Sequence, residues 1–254
     1  MSSAASKPLA GKVAIITGGS KGIGQAISVA LASAGASVVV SYAGDEAGAR
    51  ATVAAAVAAG ADASKIQIVR SDVSKSESVR SLFESAVEHF GGVDIVINNA
   101  GIILYKSILD TSDEEFDNLF NTNVKGAFFV LREAARTVRN GGRVISISSS
   151  TTALALPTYG TYSGGKAAVE QMSRVLCKEV GARGITVNVV SPGPTDTALF
   201  RLGKDEATIA KFAAMNALGR LGKPEDIAAV VVSLAGESGA FVSGQNLRVN
   251  GGFV

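Results

Sequence analysis

Cysteine and histidine occur once each in this chain, as Cys177 and His89. A single cysteine excludes an intrachain disulfide. One Cys and one His also leave too few nitrogen and sulfur ligands for a zinc site, and no metal is expected. Cys177 lies in Val175-Leu176-Cys177-Lys178, with no histidine partner in sight, and reads as a core or interface residue rather than a nucleophile. His89 falls in Glu88-His89-Phe90-Gly91-Gly92, near a helix end where a solvated position suits it. Charge is sparse too. Charged residues make up 18% and the net charge is +2, which gives no strong pull toward nucleic acid. No apolar run reaches the ~18 residues that a membrane span needs. The start, Met1-Ser2-Ser3-Ala4-Ala5-Ser6, lacks the apolar core of a secretory signal. Residues 1–8 read as a flexible tail and 9–254 as one domain. A cytoplasmic location is expected, with an organelle address trimmed from the chain left open.

What the chain does have is 47% hydrophobic residues and 29 glycines over 254 positions. Short apolar runs alternate with helical patterns, the order expected of a parallel α/β sheet. Helices are predicted near 23–34, 46–59, 76–90, 112–139, 158–182 and 224–235. Right-handed crossovers would put them on both faces of the sheet. No linker or internal repeat is visible.

The first unit is the most explicit. Val13-Ala14-Ile15-Ile16 reads as a buried strand and leads into Thr17-Gly18-Gly19-Ser20-Lys21-Gly22-Ile23-Gly24. Ile23, Ala26, Ile27, Ala30, Leu31 and Ala34 then recur at helical spacing, Gly35 stops the helix, and Val38-Val39-Val40 is a second strand. Glycines let the backbone approach a pyrophosphate, whose charge a helix N-terminus favours. Far along the chain, Tyr162 and Lys166 lie four residues apart, on one face of a helix. An ammonium beside a phenol favours the phenolate. That moves a pKa near ~10 toward the working range of a general acid/base. Alone, such a pair is more often two exposed helical residues.

Together the two motifs resemble the short-chain dehydrogenase/reductase family, from about Leu9 to Val254. Asp72-Val73, Asn98-Asn99-Ala100-Gly101, Asn123-Val124-Lys125-Gly126, Ser149 and Pro192-Gly193 follow in the family's order. The resemblance implies a single-domain Rossmann fold: a doubly wound, mostly seven-stranded parallel sheet. It implies that Tyr162 is the acid/base and that Ser149 binds the substrate oxygen. Lys166 would hold the nicotinamide ribose and lower the tyrosine pKa, and Asn123 would hold a water in a relay to Lys166. Ser148 and Ser150 flank Ser149, whose distance of eight residues from Pro157 fits the family pattern. Cofactor contacts are implied for Gly18, Ser20, Lys21, Gly22, Ile23 and Gly24. Asp72 and Val73 would meet the adenine, and Asn99, Ala100 and Gly101 the nicotinamide side. Pro192, Gly193, Thr195 and Thr197 complete the set, with helix capping a rival role for the threonines.

The cofactor choice is a question of charge. NAD-specific members carry a carboxylate at the end of the second strand; here Tyr42 stands there. Lys21 can pair with a 2′-phosphate, so NADP(H) is expected over NAD(H). Asp45, three residues beyond Tyr42, is expected to cap the next helix.

Leu104, Tyr105, Leu154, Leu156, Tyr159 and Phe200 are expected around the carbonyl, and 195–216 as a lid over the substrate. The family resemblance points to an NADPH-dependent aldehyde/ketone reductase with a small-molecule carbonyl substrate. The alternative is a 3-oxoacyl-[acyl-carrier-protein] reductase: the resemblance puts one carrier-docking arginine on Arg183 and the other on Asn140, next to Arg139, with a solvated face the plain reading of Arg139, Arg143 and Arg183. A non-catalytic nucleotide-sensing protein is the distant alternative. A homotetramer is implied, paired through the helices near 112–139 and 158–182.

Overall fold

The computed structural model describes residues 7–254. Most of the expected tail, 1–8, lies outside the described residues. Lys7 and Pro8 lie inside them and are structured: Lys7 O accepts from Ala10 N at 3.0 Å, and Lys7 Nζ donates to Gly60 O at 3.4 Å.

Among the described residues seven strands form: β1 (Val13–Ile16), β2 (Ser37–Tyr42), β3 (Ile66–Arg70), β4 (Val93–Asn98), β5 (Val138–Ile147), β6 (Thr186–Pro192) and β7 (Asn246–Val249). They make one sheet in the order β3-β2-β1-β4-β5-β6-β7, with every pairing parallel. The helices are α1 (Gly22–Ser33), α2 (Glu46–Ala58), α3 (Ser76–Phe90), α4 (Asp113–Phe120), α5 (Ala127–Thr137), α6 (Gly160–Glu179), α7 (Ala198–Arg201), α8 (Glu206–Ala214) and α9 (Pro224–Ala235). None of these is long and apolar enough to cross a membrane.

The central strands β1 and β4 are buried along their whole length and β2 nearly so, because both faces of the sheet are covered there. Successive side chains point to opposite faces. Ile16, Val38 and Val40 therefore pack with Ile27 and Leu31 of α1 and Ile227 and Val231 of α9. Ile15 and Val39 pack on the other side with Leu82 and Phe83 of α3, Val130 of α5 and Leu176 of α6.

The helix predicted over 112–139 differs. It is α4, a π-helical turn at Asn121–Gly126, and α5, which stops at Thr137. A capping box starts α4: Ser112 Oγ accepts from Glu115 N at 3.3 Å, and Ser112 N donates to Glu115 Oε2 at 3.0 Å. The end comes early because Val138 is extended and pairs with Val93, and Asn140-Gly141-Gly142 has little helix propensity.

The strand order reverses direction between β1 and β4. The loops after these strands diverge to opposite faces, leaving a crevice at the strand C-terminal ends.

Candidate active site

A cavity of about 750 Å³ occupies that crevice. One end is the glycine loop between β1 and α1. Gly18 has φ +65°, a left-handed backbone that favours glycine. At Gly24 a Cβ would lie 2.1 Å from Gly18 O, so only glycine lets the helix start this close to the loop. Lys21, at the N-cap of α1, makes no side-chain capping bond. The first-turn N–H groups are therefore open to an anion, which suits a dinucleotide pyrophosphate.

Thr17 and Asn99 tie this loop to the end of β4. Thr17 Oγ1 accepts from Asn99 N at 3.0 Å and Ala100 N at 3.1 Å. Asn99 Nδ2 donates to Thr17 O at 2.9 Å and Gly18 O at 3.1 Å. Asn99 thus shapes the wall through its amide. Thr17, not expected as a site residue, is the hidden partner.

Gly18, Ser20, Lys21, Gly22, Ile23 and Gly24 all line the cavity, as do Tyr42, Asp72, Val73, Asn99, Ala100 and Gly101. Pro192, Gly193, Thr195 and Thr197 line it from β6 onward. Lys21 is exposed at the rim and Tyr42 is buried in the wall. Ala43, Gly44 and Asp45 share that end and were not expected there as lining. Asp45 Oδ1 accepts from Gly48 N at 2.9 Å, so its carboxylate caps α2 as foreseen. Thr197 both lines the cavity and caps α7, accepting from Phe200 N at 3.1 Å.

Ser149, Tyr162 and Lys166 meet at the centre of the cavity wall. The three adjacent serines separate by their bonds. Ser148 Oγ donates to Glu170 Oε1 at 2.6 Å. Ser150 Oγ donates to Ser191 O at 3.1 Å and accepts from Asn250 Nδ2 at 3.1 Å. Ser149 Oγ meets only its neighbour Thr151 and Tyr162, and stays available to a ligand. Glu170 also accepts from Thr152 Oγ1 at 2.7 Å, so one carboxylate oxygen fixes both sides of Ser149.

Lys166 is buried and donates from Nζ to Ile147 O at 2.9 Å. Its ammonium is 5.9 Å from the Tyr162 ring centroid. Burial draws Lys166 down to about 8, opposed by the Glu170 carboxylate. Burial pushes Tyr162 up to about 12, opposed by a hydrogen bond with Ser149. Desolvation is the largest influence on the phenol, and the expected downward pull from Lys166 is not among its causes.

Of the expected catalytic and cofactor-binding residues, Asn123 alone does not line the cavity. It is buried in the π-helical turn. Its Oδ1 accepts from Ile102 N and its Nδ2 donates to Ile102 O, both at 2.8 Å. Both ends of its side-chain amide bond the loop after β4. A Cβ on Gly101 would lie 3.2 Å from Asn123 Oδ1 and 3.3 Å from Lys166 Nζ, so both side chains converge behind that glycine.

The remaining end of the cavity is apolar. Tyr105, Leu156, Tyr159 and Phe200 line it; Leu104 and Leu154 do not. Leu199 and Phe212 come from 195–216, which folds over the cavity as α7 and α8. Phe253, close to Val254, also reaches the wall and went unsuspected, because nothing local marks a residue so far along the chain.

The arginines considered for docking are occupied. Arg183 donates to Ala135 O at 2.5 Å, to Val138 O, and to Asn140 Oδ1 at 3.1 Å. Arg139 donates to Gly91 O at 2.6 Å and pairs with Asp94 at 3.3 Å. Arg143 is buried and donates to Gly141 O at 2.5 Å and Gly142 O at 3.1 Å. They close backbone turns at this end of the sheet; Arg139 is exposed, as expected of a solvated face, while Arg143 is buried, which corrects the expectation for that residue.

A family model described as Enoyl-(Acyl carrier protein) reductase matches residues 18–254. The chain is 44% identical to a short-chain type dehydrogenase/reductase of Picea abies, over 97% of this chain and 93% of that one. It is 42% identical to an NADPH-dependent aldehyde reductase-like protein, chloroplastic, of Arabidopsis thaliana, over 97% and 96%. Among solved structures, a short-chain dehydrogenase from Burkholderia cenocepacia J2315 in complex with NADP superposes with a TM-score of 0.90, at 34% identity, covering 97% of this chain and 99% of that one.

Proposed function

The chain belongs to the short-chain dehydrogenase/reductase family, and from that premise we propose that it is an NADPH-dependent reductase of aldehydes and ketones. One observation carries this most: Ser149, Tyr162 and Lys166 face one cavity whose other end is a glycine loop at a helix N-terminus. The similarity to an NADPH-dependent aldehyde reductase-like protein supports it.

A nicotinamide dinucleotide, when bound, would supply the hydride for a carbonyl carbon. The chain's own residues handle binding and one proton. The N–H groups at the start of α1 hold the pyrophosphate. Lys21 pairs with the 2′-phosphate; Tyr42 rather than a carboxylate ends β2, and the Asp45 carboxylate nearby is engaged in capping α2. Ser149 Oγ donates to the carbonyl oxygen and fixes its position. Tyr162 gives its phenolic proton to that oxygen as it becomes the alcohol. Lys166 holds the ribose hydroxyls with an ammonium anchored on Ile147 O. Asn123 acts indirectly, by setting the loop at Ile102 that carries Gly101.

The experiment is NADPH oxidation with a panel of aldehydes and ketones. Tyr162→Phe removes the proton donor, and kcat falls by about 10²–10⁴. A Tyr162→Phe enzyme as fast as the wild type overturns the assignment. In the same assay kcat/KM for NADPH exceeds that for NADH; the reverse order sinks the cofactor preference.

The second reading, 3-oxoacyl-[acyl-carrier-protein] reductase, draws on the description of the matching family model. The commitment of Arg139, Arg143 and Arg183 to backbone carbonyls counts against it. An acetoacetyl carrier protein in the panel decides between them. We further propose a homotetramer, and a cytoplasmic location with a plastid as the alternative.

A further inference from the structure

The chain is poor in aromatics, at 6%, and has only four tyrosines. All of them, Tyr42, Tyr105, Tyr159 and Tyr162, line the one cavity. Tyr42 stands at the end assigned to the adenosine. The others form a row at the end assigned to the substrate. Tyr105 and Tyr159 meet edge-on, with centroids 5.1 Å apart and planes at 72°. Tyr159 and Tyr162 repeat the arrangement at 6.4 Å and 69°.

A second row comes from distant parts of the chain. Phe200 and Phe212 meet edge-on at 5.5 Å, and Phe212 and Phe253 lie at 6.4 Å with planes 31° apart. Lys204 joins the two rows. Its Nζ is 3.8 Å from the Tyr105 centroid, 4.8 Å from that of Phe200 and 6.0 Å from that of Phe212. It also donates to Phe200 O at 2.8 Å. Lys204 thus ties the two rows together at one side, and both rows line the same cavity.

Leucine, valine and isoleucine would make an apolar pocket equally well by area. Rings differ in two ways. They are rigid, so a slot between the two rows keeps its width. They also carry a quadrupole, which favours another ring in an offset or edge-on position beyond the area that it buries. Resting on the reductase reading above, we propose that the substrates are carbonyl compounds that bear an aromatic ring. The ring occupies the slot between Tyr105–Tyr159 and Phe200–Phe212–Phe253, while the carbonyl reaches Ser149 and Tyr162. Small aliphatic aldehydes leave the slot unfilled.

The test uses 4-phenyl-2-butanone and 4-cyclohexyl-2-butanone, which share the same carbonyl and carbon count and differ only in the ring. The wild-type enzyme with NADPH favours the phenyl compound in kcat/KM by about three- to ten-fold, the range that ring–ring contacts supply. In Phe212→Leu and in Phe253→Leu the ratio falls toward one. Because the ratio compares two substrates on one preparation, partial misfolding of a variant cancels. A wild-type ratio near one, or a ratio that survives both substitutions, overturns the proposal while leaving the reductase reading intact. If no carbonyl in the panel is reduced, the reductase reading fails. The slot is then read by calorimetric binding of the two matching alcohols to the NADP⁺-loaded protein, where equal affinities overturn it and tighter binding of the phenyl compound upholds it.

Discussion

Lys166 is a base held against its own preference. Burial draws it down to about 8, and Glu170, one helical turn further on, opposes that fall. As pH rises through 8 the folded chain gives up this charge, which an unfolded chain keeps until about 10.4. Between those values the unfolded state binds more protons, so this group's contribution to stability rises with pH. Function runs the other way. If the ammonium holds the ribose, NADPH binding weakens above about pH 8. Glu170→Gln removes the supporting carboxylate and moves that break to lower pH, by about one unit for a nearby charge of this kind. Calorimetric Kd values across pH check it; an unmoved break denies Glu170 this role. Of the residues around the proton donor, Tyr162, Lys166 and Ser149 were legible because their types and spacing carry the chemistry. Glu170 and Thr17 were not. A glutamate in a helix and a threonine after a strand are ordinary until folding brings Ser148, Thr152 and Asn99 to them.

Among the elements, the regular helices and strands follow from periodicity, and their ends from caps and glycines. The π-helical turn at Asn121–Gly126 does not. Its pattern continues that of α4 and α5, and what marks it is Asn123 bonded to Ile102, a contact remote in sequence. The segment over the cavity was expected as a lid, but its fastening was invisible, since Lys204 meets Tyr105 from the far side of α4, α5, β5, α6 and β6 in the chain. We propose that this cation is the fastening. Cation–ring contacts of this partly desolvated kind contribute about 1–2 kcal/mol. Lys204→Met then raises KM for a bulky ketone by about three- to ten-fold, with kcat changed less. Steady-state kinetics with 4-phenyl-2-butanone measure it, and an unchanged KM shows that the segment is held by its phenylalanines alone.

For the molecule as a whole, strand order and the crevice at the β1/β4 reversal follow from the alternation of strands and helices. Quaternary structure leaves a fainter trace in the sequence. The fold leaves Phe116 of α4, Phe128 of α5 and Val175 of α6 exposed, at 43%, 45% and 47%. These are the helices expected to pair between subunits, and no amphipathic pattern distinguishes an apolar residue kept for a partner from one kept for the core. We propose that they form one tetramer interface. Light scattering then gives a four-subunit mass for the wild type and a smaller one for a Phe128→Glu, Val175→Glu double variant. A monomeric wild type removes the proposal.

The placement of every tyrosine around one crevice, in a chain without tryptophan, has a practical side. Excited at wavelengths that its ten phenylalanines do not absorb, the protein emits from those four phenols alone. A dihydropyridine bound among them would sit close enough to each to drain its excitation. Loading of the reduced coenzyme should therefore be visible as quenching of the intrinsic fluorescence, with no dye, tag or turnover needed to follow it.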